Sequence, residues 1–274
     1  MIQIENLSYT YPTGVQALKG VSLGIRDGEF LAIMGENGAG KTTLVKHLNG
    51  LLKPSSGRVL VDGVDTREAS VATLSRTVGL VFQNPDDQLF SETSEDEVSF
   101  ALKNFGFSKE VMEKRVNWAL NLLGLERYRK VSPLMLSGGE RKRLALASVL
   151  AWDPKVVVLD EPTVGQDHSQ KQILRQFIIQ LNTQGKTVII VTHDVEFVAE
   201  CAPKVVVMSR GKVITEGEAR RVLCDESILS QASIIPPQVA QVFSMLQDLG
   251  FPRNVINVED AKGIIAAKVR ARRL

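Results

Sequence analysis

Cysteine is scarce: Cys201 and Cys224 are the only two in 274 residues, and their spacing suits no metal site. A disulfide-built secreted fold is thereby set aside, and both thiols are expected to be reduced bystanders of a cytosolic protein. Net charge is nearly absent too. The 33 basic and 31 acidic residues leave +2, which argues against a whole-surface nucleic-acid binder, so no nucleic-acid partner is expected. Long apolar runs are missing. None approaches the ~18–20 residues that span a bilayer, and the first residues lack a signal-peptide pattern. The chain is expected to be soluble by itself, with any membrane association made through a partner. It has no internal repeat and no low-complexity tract. Apolar side chain, by contrast, makes up 44% of the residues. That suffices for one large α/β domain with an appendage, or for two small domains.

One stretch organises the rest. Gly35-Glu36-Asn37-Gly38-Ala39-Gly40-Lys41-Thr42 fits the pattern of Gly, four residues, Gly-Lys-Ser/Thr that cradles nucleotide phosphates. The glycines clear side chains from the loop and permit positive φ, so successive N–H groups can face one anion. Lys41 would neutralise β/γ-phosphate charge, and the Thr42 hydroxyl would ligate Mg²⁺. Residues 29–34 before the loop read as a buried strand and 41–51 after it as a helix, the order that the mechanism needs.

Strands are expected over 2–7, 21–25, 30–34, 58–63 and 77–83, the fourth in an antiparallel layer beside the main sheet. From about 92 to 150 the pattern is helical, with segments near 94–104, 108–124 and 138–151. Strand 156–159, helix 167–183, strand 186–192, helix 194–201 and strand 204–209 then alternate, which implies a parallel sheet. After Gly217 the rhythm stops. Pro236-Pro237 opens a helix with Val239, Phe243, Leu246 and Leu249 on one stripe, and a last helix covers 259–271.

Two further elements carry chemistry. The apolar strand before Asp160-Glu161 puts Asp160 at the C-terminal edge of the sheet, near the Mg²⁺ site, and Glu161 where it could orient and deprotonate a water. Leu136-Ser137-Gly138-Gly139-Glu140 offers free N–H groups at a helix start. An ordinary capping box, Ser137 with Glu140, explains that motif locally just as well.

Together these motifs, with Gln83 and His193, resemble an ATP-binding-cassette ATPase over about residues 1–217. The resemblance implies a P-loop NTPase α/β core with a mixed sheet, an antiparallel β subdomain and an inserted helical subdomain at about 85–150. A small C-terminal appendage at 218–274 would help hold an ATPase pair together. It implies ATP and Mg²⁺ as bound groups. Lys41 and residues 35–42, with Thr43 beside them, look like the phosphate clamp. Thr42 and Gln83 resemble the Mg²⁺ ligands, with Asp160 reaching the metal through water. Glu161 looks like the general base, and His193 resembles the switch histidine at the γ-phosphate. Gly165-Gln166-Asp167 looks like the loop that communicates with the opposite subunit. Ser137, Gly138 and Gly139 would cap the nucleotide of that other subunit. Tyr11 matches the aromatic that stacks on adenine, an interaction of ~1–3 kcal/mol for nucleic-acid bases. Tyr9 competes for that role, and a core β-strand aromatic is the alternative reading of Tyr11.

Tyr11-Pro12-Thr13-Gly14, the segments 81–90 and 160–167, and Pro236-Pro237-Gln238-Val239 resemble energy-coupling-factor importers of vitamins, cobalt or nickel. That implies a second ATPase subunit, identical or related, a transmembrane coupling protein and a substrate-binding membrane subunit, at the cytoplasmic face of the membrane. A separate subunit then binds the transported micronutrient, and none of these residues need touch it. Asp86, Asp87, Glu92, Glu95, Asp96 and Glu97 place six carboxylates within twelve positions. They would complement coupling-helix arginines, or simply solvate a helix start. Lys268, Arg270, Arg272 and Arg273 form a basic tail, read as solvated, with anionic lipid as the alternative. His47 reads as structural and His168 as the start of a helix. The alternatives are a non-transport cassette ATPase of DNA repair and a non-hydrolysing nucleotide-binding regulator. The first would need a long coiled-coil insertion, for which the spacing from Lys41 to Ser137 is too short. Intact Glu161 and His193 oppose the second. A translation factor of this class would carry two cassettes.

Overall fold

The computed structural model describes residues 1–271, so Arg272 and Arg273 of the basic tail lie outside the described residues. The chain opens with an antiparallel hairpin, β1 (Ile2–Thr10) and β2 (Gln16–Ile25). Ile2, Ile4 and Leu7 are buried on β1, and left-handed Asn6 (φ 48°) marks the bulge that shifts the alternation between Ile4 and Leu7. β3 (Phe30–Gly35) is buried throughout and leads through the phosphate loop into α1 (Lys41–Lys46). That helix is shorter than expected: beyond Lys46 the chain runs on as turns to Gly50, where φ is 76°. β4 (Ser56–Val61) and β5 (Val64–Asp65) complete an antiparallel sheet in the order β2-β1-β4-β5.

After α2 (Val71–Ser75) comes β6 (Val78–Val81). A 3₁₀ turn at Pro85–Asp87 then leads into three helices, α3 (Ser94–Asn104), α4 (Lys109–Leu122) and α5 (Gly138–Leu150). They share a core of their own, which includes Val98, Leu102, Leu120 and Leu144. Alternation follows: β7 (Val156–Asp160), α6 (His168–Thr183), β8 (Thr187–Val191), α7 (Val195–Cys201), β9 (Lys204–Ser209) and β10 (Lys212–Glu218). The main sheet runs β10-β9-β3-β8-β7-β6, parallel except for β10 at its edge. The protein is thus α/β, with a mixed main sheet, an antiparallel β subdomain and an inserted helical layer.

The two-residue period of β3 explains the layering. Leu31 and Ile33 face the antiparallel sheet and α1, while Phe30, Ala32 and Met34 face α6 and α7. Four helices end the described chain: α8 (Ala219–Val222), α9 (Glu226–Gln231), α10 (Gln238–Met245) and α11 (Val258–Ala271). Leu223, Leu229 and Ala240 join the second core, and Phe243, Val255 and Ala261 form a small separate cluster. The expected stripe on α10 fails at its far end. Ala240 and Phe243 are buried, whereas Leu249 lies on a 3₁₀ turn beyond the helix and is 56% exposed. Among the described residues no helix is long and apolar enough to cross a membrane.

Candidate active site

Parallel register brings the site together. Asp160 pairs with Val191, and Ile33 pairs with Val191 from the other side, so β3, β8 and β7 end side by side. The phosphate loop, Thr192-His193 and Asp160-Glu161 follow directly from those ends. A cleft of about 1110 Å³ opens there, lined by Asn37 through Thr43, Tyr11, Gln83, Glu161, Gln166 and His193 among others.

The loop is shaped by close approach. A Cβ at Gly35 would lie 2.2 Å from the Met208 carbonyl oxygen, and one at Gly40 (φ 99°) would lie 2.6 Å from that of Ala17. Lys41 donates to the carbonyls of Gly35 and Glu36 at 2.8 and 3.0 Å. Burial lowers the pKa of its ammonium, with Glu161, Asp160 and Glu36 opposing. The Glu36 side chain points away from the cleft, toward Ser209 (3.3 Å) and Ser233 (3.2 Å). Gly35 and Glu36 therefore shape the loop from behind and do not line it. The turn between β9 and β10 closes the wall: the Gly211 N–H donates to the Ala39 carbonyl at 3.0 Å, and its carbonyl accepts from the Lys19 N–H at 2.9 Å.

Glu161 is buried in a left-handed conformation (φ 47°). Its Oε2 accepts from the Thr192 hydroxyl at 3.1 Å and the His193 N–H at 3.4 Å, and lies 3.0 Å from His193 Nδ1. The His193 side chain is 58% exposed toward the cleft. Sequence reasoning missed Thr192. A hydroxyl ending an apolar strand at the same sheet edge as Asp160 was the available signal. Asp160 is buried, and its Oδ1 has no hydrogen-bond partner. Burial raises its pKa, a hydrogen bond with Thr42 opposes the shift, and the Glu161 charge adds to it.

Tyr11 sits at the rim with its hydroxyl 2.9 Å from Thr43 Oγ1. Tyr9 instead packs edge-to-face on Tyr11 and on buried His47, and so belongs to the core. His47 bonds the Thr43 carbonyl through Nδ1 at 2.7 Å. Lys19 and Arg210 also line the cleft, although neither sits in a motif that would mark it. Lys171, another lining residue, pairs with Asp194 at 2.6 Å.

Ser137, Gly138 and Gly139 are absent from the lining of this cleft. Ser137 caps α5, and the capping box with Glu140 is complete. Asp167 is likewise outside the lining. Its carboxylate caps α6 by accepting from the Gln170 N–H at 2.8 Å, while its neighbours Gly165 and Gln166 line the cleft. His168 opens α6. The acidic patch is largely used internally. Asp86 pairs with Arg141 and Glu95 with Arg129 and Lys130, Asp96 meets Thr93 and Lys103, and buried Glu97 accepts from the N–H groups of Phe90 and Ser91. The basic tail is also partly engaged: Lys268 bonds the Leu249 carbonyl and lies 4.1 Å from the Phe251 ring centroid.

The residues fit a nucleotide with its metal. Among the described residues no three His, Cys, Asp or Glu side chains gather for a metal ion. A hard cation here would draw on hydroxyl and amide oxygens, one unpartnered buried carboxylate and phosphate, as Mg²⁺ does. A family model described as ABC transporter matches residues 18–164. The chain belongs to the ABC transporter family. Among ABC transporter relatives, the energy-coupling factor transporter ATP-binding protein EcfA of Methanothermobacter thermautotrophicus is 41% identical over 263 residues, covering 95% of this chain and 85% of that protein. The structure of cbiO1 from Clostridium perfringens, part of the ABC transporter complex cbiONQ, matches with a TM-score of 0.74 at 36% identity, covering 90% of this chain and 98% of that one. An ATP-binding cassette solved as a dimer in a post-hydrolysis state with ADP and Pi matches with a TM-score of 0.73 at 32% identity, covering 80% and 99%. The chain spans under half the length of other curated relatives, 45% of one and 44% of another.

Proposed function

We propose that this chain is the ATP-binding and ATP-hydrolysing subunit of an energy-coupling-factor importer of a vitamin or a transition metal ion. It works head-to-tail with a second ATPase subunit at the cytoplasmic face of the membrane. The observation that carries the reading is buried Glu161, held by Thr192 and His193 in the cleft that the loop of Lys41 also lines.

Lys41 and the loop N–H groups hold the β- and γ-phosphates. Tyr11 stacks on adenine. Glu161 orients and deprotonates the attacking water, and His193 supports that water at the γ-phosphate. Thr42, Gln83 and, through water, Asp160 would hold Mg²⁺, which when bound neutralises charge on the phosphate oxygens. Catalysis is positioning plus electrostatic stabilisation of a loose transition state.

Ser137, Gly138 and Gly139 lie off their own cleft, which fits a role in capping the nucleotide of the partner cassette. Exposed Val242, Met245 and Leu249 in the C-terminal segment suit pairing of two such subunits. Toward the membrane, exposed Phe90 and Phe100 stack edge-to-face near Asp87 and Glu92, a surface suited to a transmembrane coupling protein and, beyond it, the substrate-binding subunit. Phosphate release measured against enzyme concentration tests the reading. Turnover per subunit should fall with dilution below the dimer dissociation constant. Flat turnover there would refute the head-to-tail requirement, and absence of phosphate release would refute the ATPase.

A further inference from the structure

The segment from 83 to 91 carries ties that the chemistry above does not use. Gln83 lines the cleft, and five residues later Gln88 turns inward. Gln88 Oε1 accepts from the Phe82 N–H at 3.1 Å. Its Nε2 donates to the Ala145 carbonyl at 2.8 Å and to Ser148 Oγ at 3.2 Å. Beside it, Asp86 pairs with Arg141 at 2.6 Å. One short loop is thus fastened to the end of β6 and to two places on α5.

The helix α5 is itself held unevenly. Near its C-terminal end Val149 is wedged against Gly79 of β6, where an added Cβ would come within 2.5 Å of Val149 Cγ1. Along its middle a crevice of about 110 Å³ lies between the helix and the main layer, lined by Lys142, Leu146, Leu159 and Phe177 among others. Dense packing fixes the helix at Val149, and the crevice forfeits contacts with the main layer along residues 142–146. The hydrogen bonds of Gln88 to Ala145 and Ser148 tie that stretch of the helix to the loop. The N-terminal end of the same helix carries Ser137, Gly138 and Gly139.

We infer that Gln88 is a positioning residue for hydrolysis. It locks α5 to the loop that presents Gln83, so that the state of one cleft sets the aim of residues 137–139 at the partner's nucleotide. The inference rests on the reading of the chain as a dimeric ATPase. Gln83 and Ser137 do the touching; Gln88 keeps the distance between them.

The experiment compares wild type with Gln88→Ala and Gln88→Glu. Glutamate still accepts from the Phe82 N–H but cannot donate to the Ala145 carbonyl, so it removes that bond to α5, while the Ser148 hydroxyl can turn to donate to it. Three quantities are read: kcat for phosphate release, Kd for ATP, and deuterium exchange at the Phe82 amide. Both variants should lose about tenfold or more in kcat, equivalent to about 1.4 kcal/mol of transition-state stabilisation, while ATP Kd stays within about twofold. The Phe82 amide should exchange faster in Gln88→Ala and stay protected in Gln88→Glu.

Wild-type kcat in Gln88→Glu would overturn the inference. So would a rise in Kd matching the fall in kcat, since Gln88 would then act through nucleotide binding. A fall in kcat that disappears once rates are expressed per folded molecule would reduce Gln88 to a stability role and overturn it as well. An inactive wild-type protein would strike down the ATPase reading itself, and the role in turnover with it.

Discussion

Replacing Glu161 by Gln exchanges one oxygen for nitrogen on a side chain that is 7% exposed. Its neighbours decide what survives. The Thr192 hydroxyl and the His193 N–H both donate to Oε2, and His193 Nδ1 lies beside it. The glutamine carbonyl oxygen accepts from the first two, and from Nδ1 in the tautomer that carries its proton there. The side chain therefore stays put, and the stability change should remain within about 1 kcal/mol. ATP affinity should hold as well, because Lys41 and residues 37–43 are untouched. What disappears is the proton acceptor. A positioned base contributes about 10²–10⁴ in rate, or about 2.7–5.4 kcal/mol of barrier at 1.36 kcal/mol per factor of ten. Single-turnover phosphate release, with ATP binding measured in parallel, separates the two effects. Hydrolysis within about threefold of wild type, a difference too small for a lost base, would refute the role of Glu161.

Three other perturbations follow from the packing and charge described above. Gly79→Ala should cost about 1–3 kcal/mol by overpacking against Val149 and Pro154, and less in a Val149→Ala background; an unchanged urea midpoint would show that β6 and α5 yield freely. Glu140 is held at a pKa of about 2 by the Tyr128 hydroxyl and then by the Ser137 side chain and N–H, so its folded pKa is depressed from 4.5. Its stabilisation is complete above 4.5 and lost as pH falls from there toward 2. The Tm gap between wild type and Glu140→Gln should close over that window, and a gap independent of pH would contradict the assignment. Asp86→Lys should lower Tm by breaking the pair with Arg141, whereas Asp87→Lys should leave Tm alone and weaken co-purification with a membrane partner. Equal effects of the two on assembly would remove the distinction.

The legible parts of the sequence were those with one dominant cause. β3, β7 and β8 are buried on both faces, so their apolar runs stood out, and α3 begins and ends at the expected residues because Thr93 caps it. The phosphate loop and Asp160-Glu161 were legible because their chemistry requires particular residues at fixed spacing. β10 went unseen. It is a half-exposed edge strand with a glycine and three charges, a composition that protects an edge and hides its period. α1 ran short of its pattern because Leu44, Val45 and Leu48 are buried alike, whether on the helix or in the turns beyond it. The carboxylates of 86–97 were read as one surface. Four of the six are spent on Arg141, Arg129, Lys130, Lys103 and backbone N–H groups, and only the folded contacts could reveal most of those partners. Gln88 and Thr192 were missed for the same reason: each owes its role to a neighbour distant in sequence.

The strand order also dictates when the cleft can exist during synthesis. The phosphate loop is finished by residue 43, yet β3, which aims it, sits between β8 and β9. Its last wall is Gly211, which bonds back to Ala39 and Lys19. A nascent chain therefore carries the phosphate-binding residues for most of its translation without the sheet that gathers them. Chains fold N-terminal elements first as they emerge, and here that order yields the antiparallel hairpin early but no ATP site. Until residue 211 has been made, the cleft lacks its last wall. Any truncated product lacking β9 would retain the motif, and would not form the pocket.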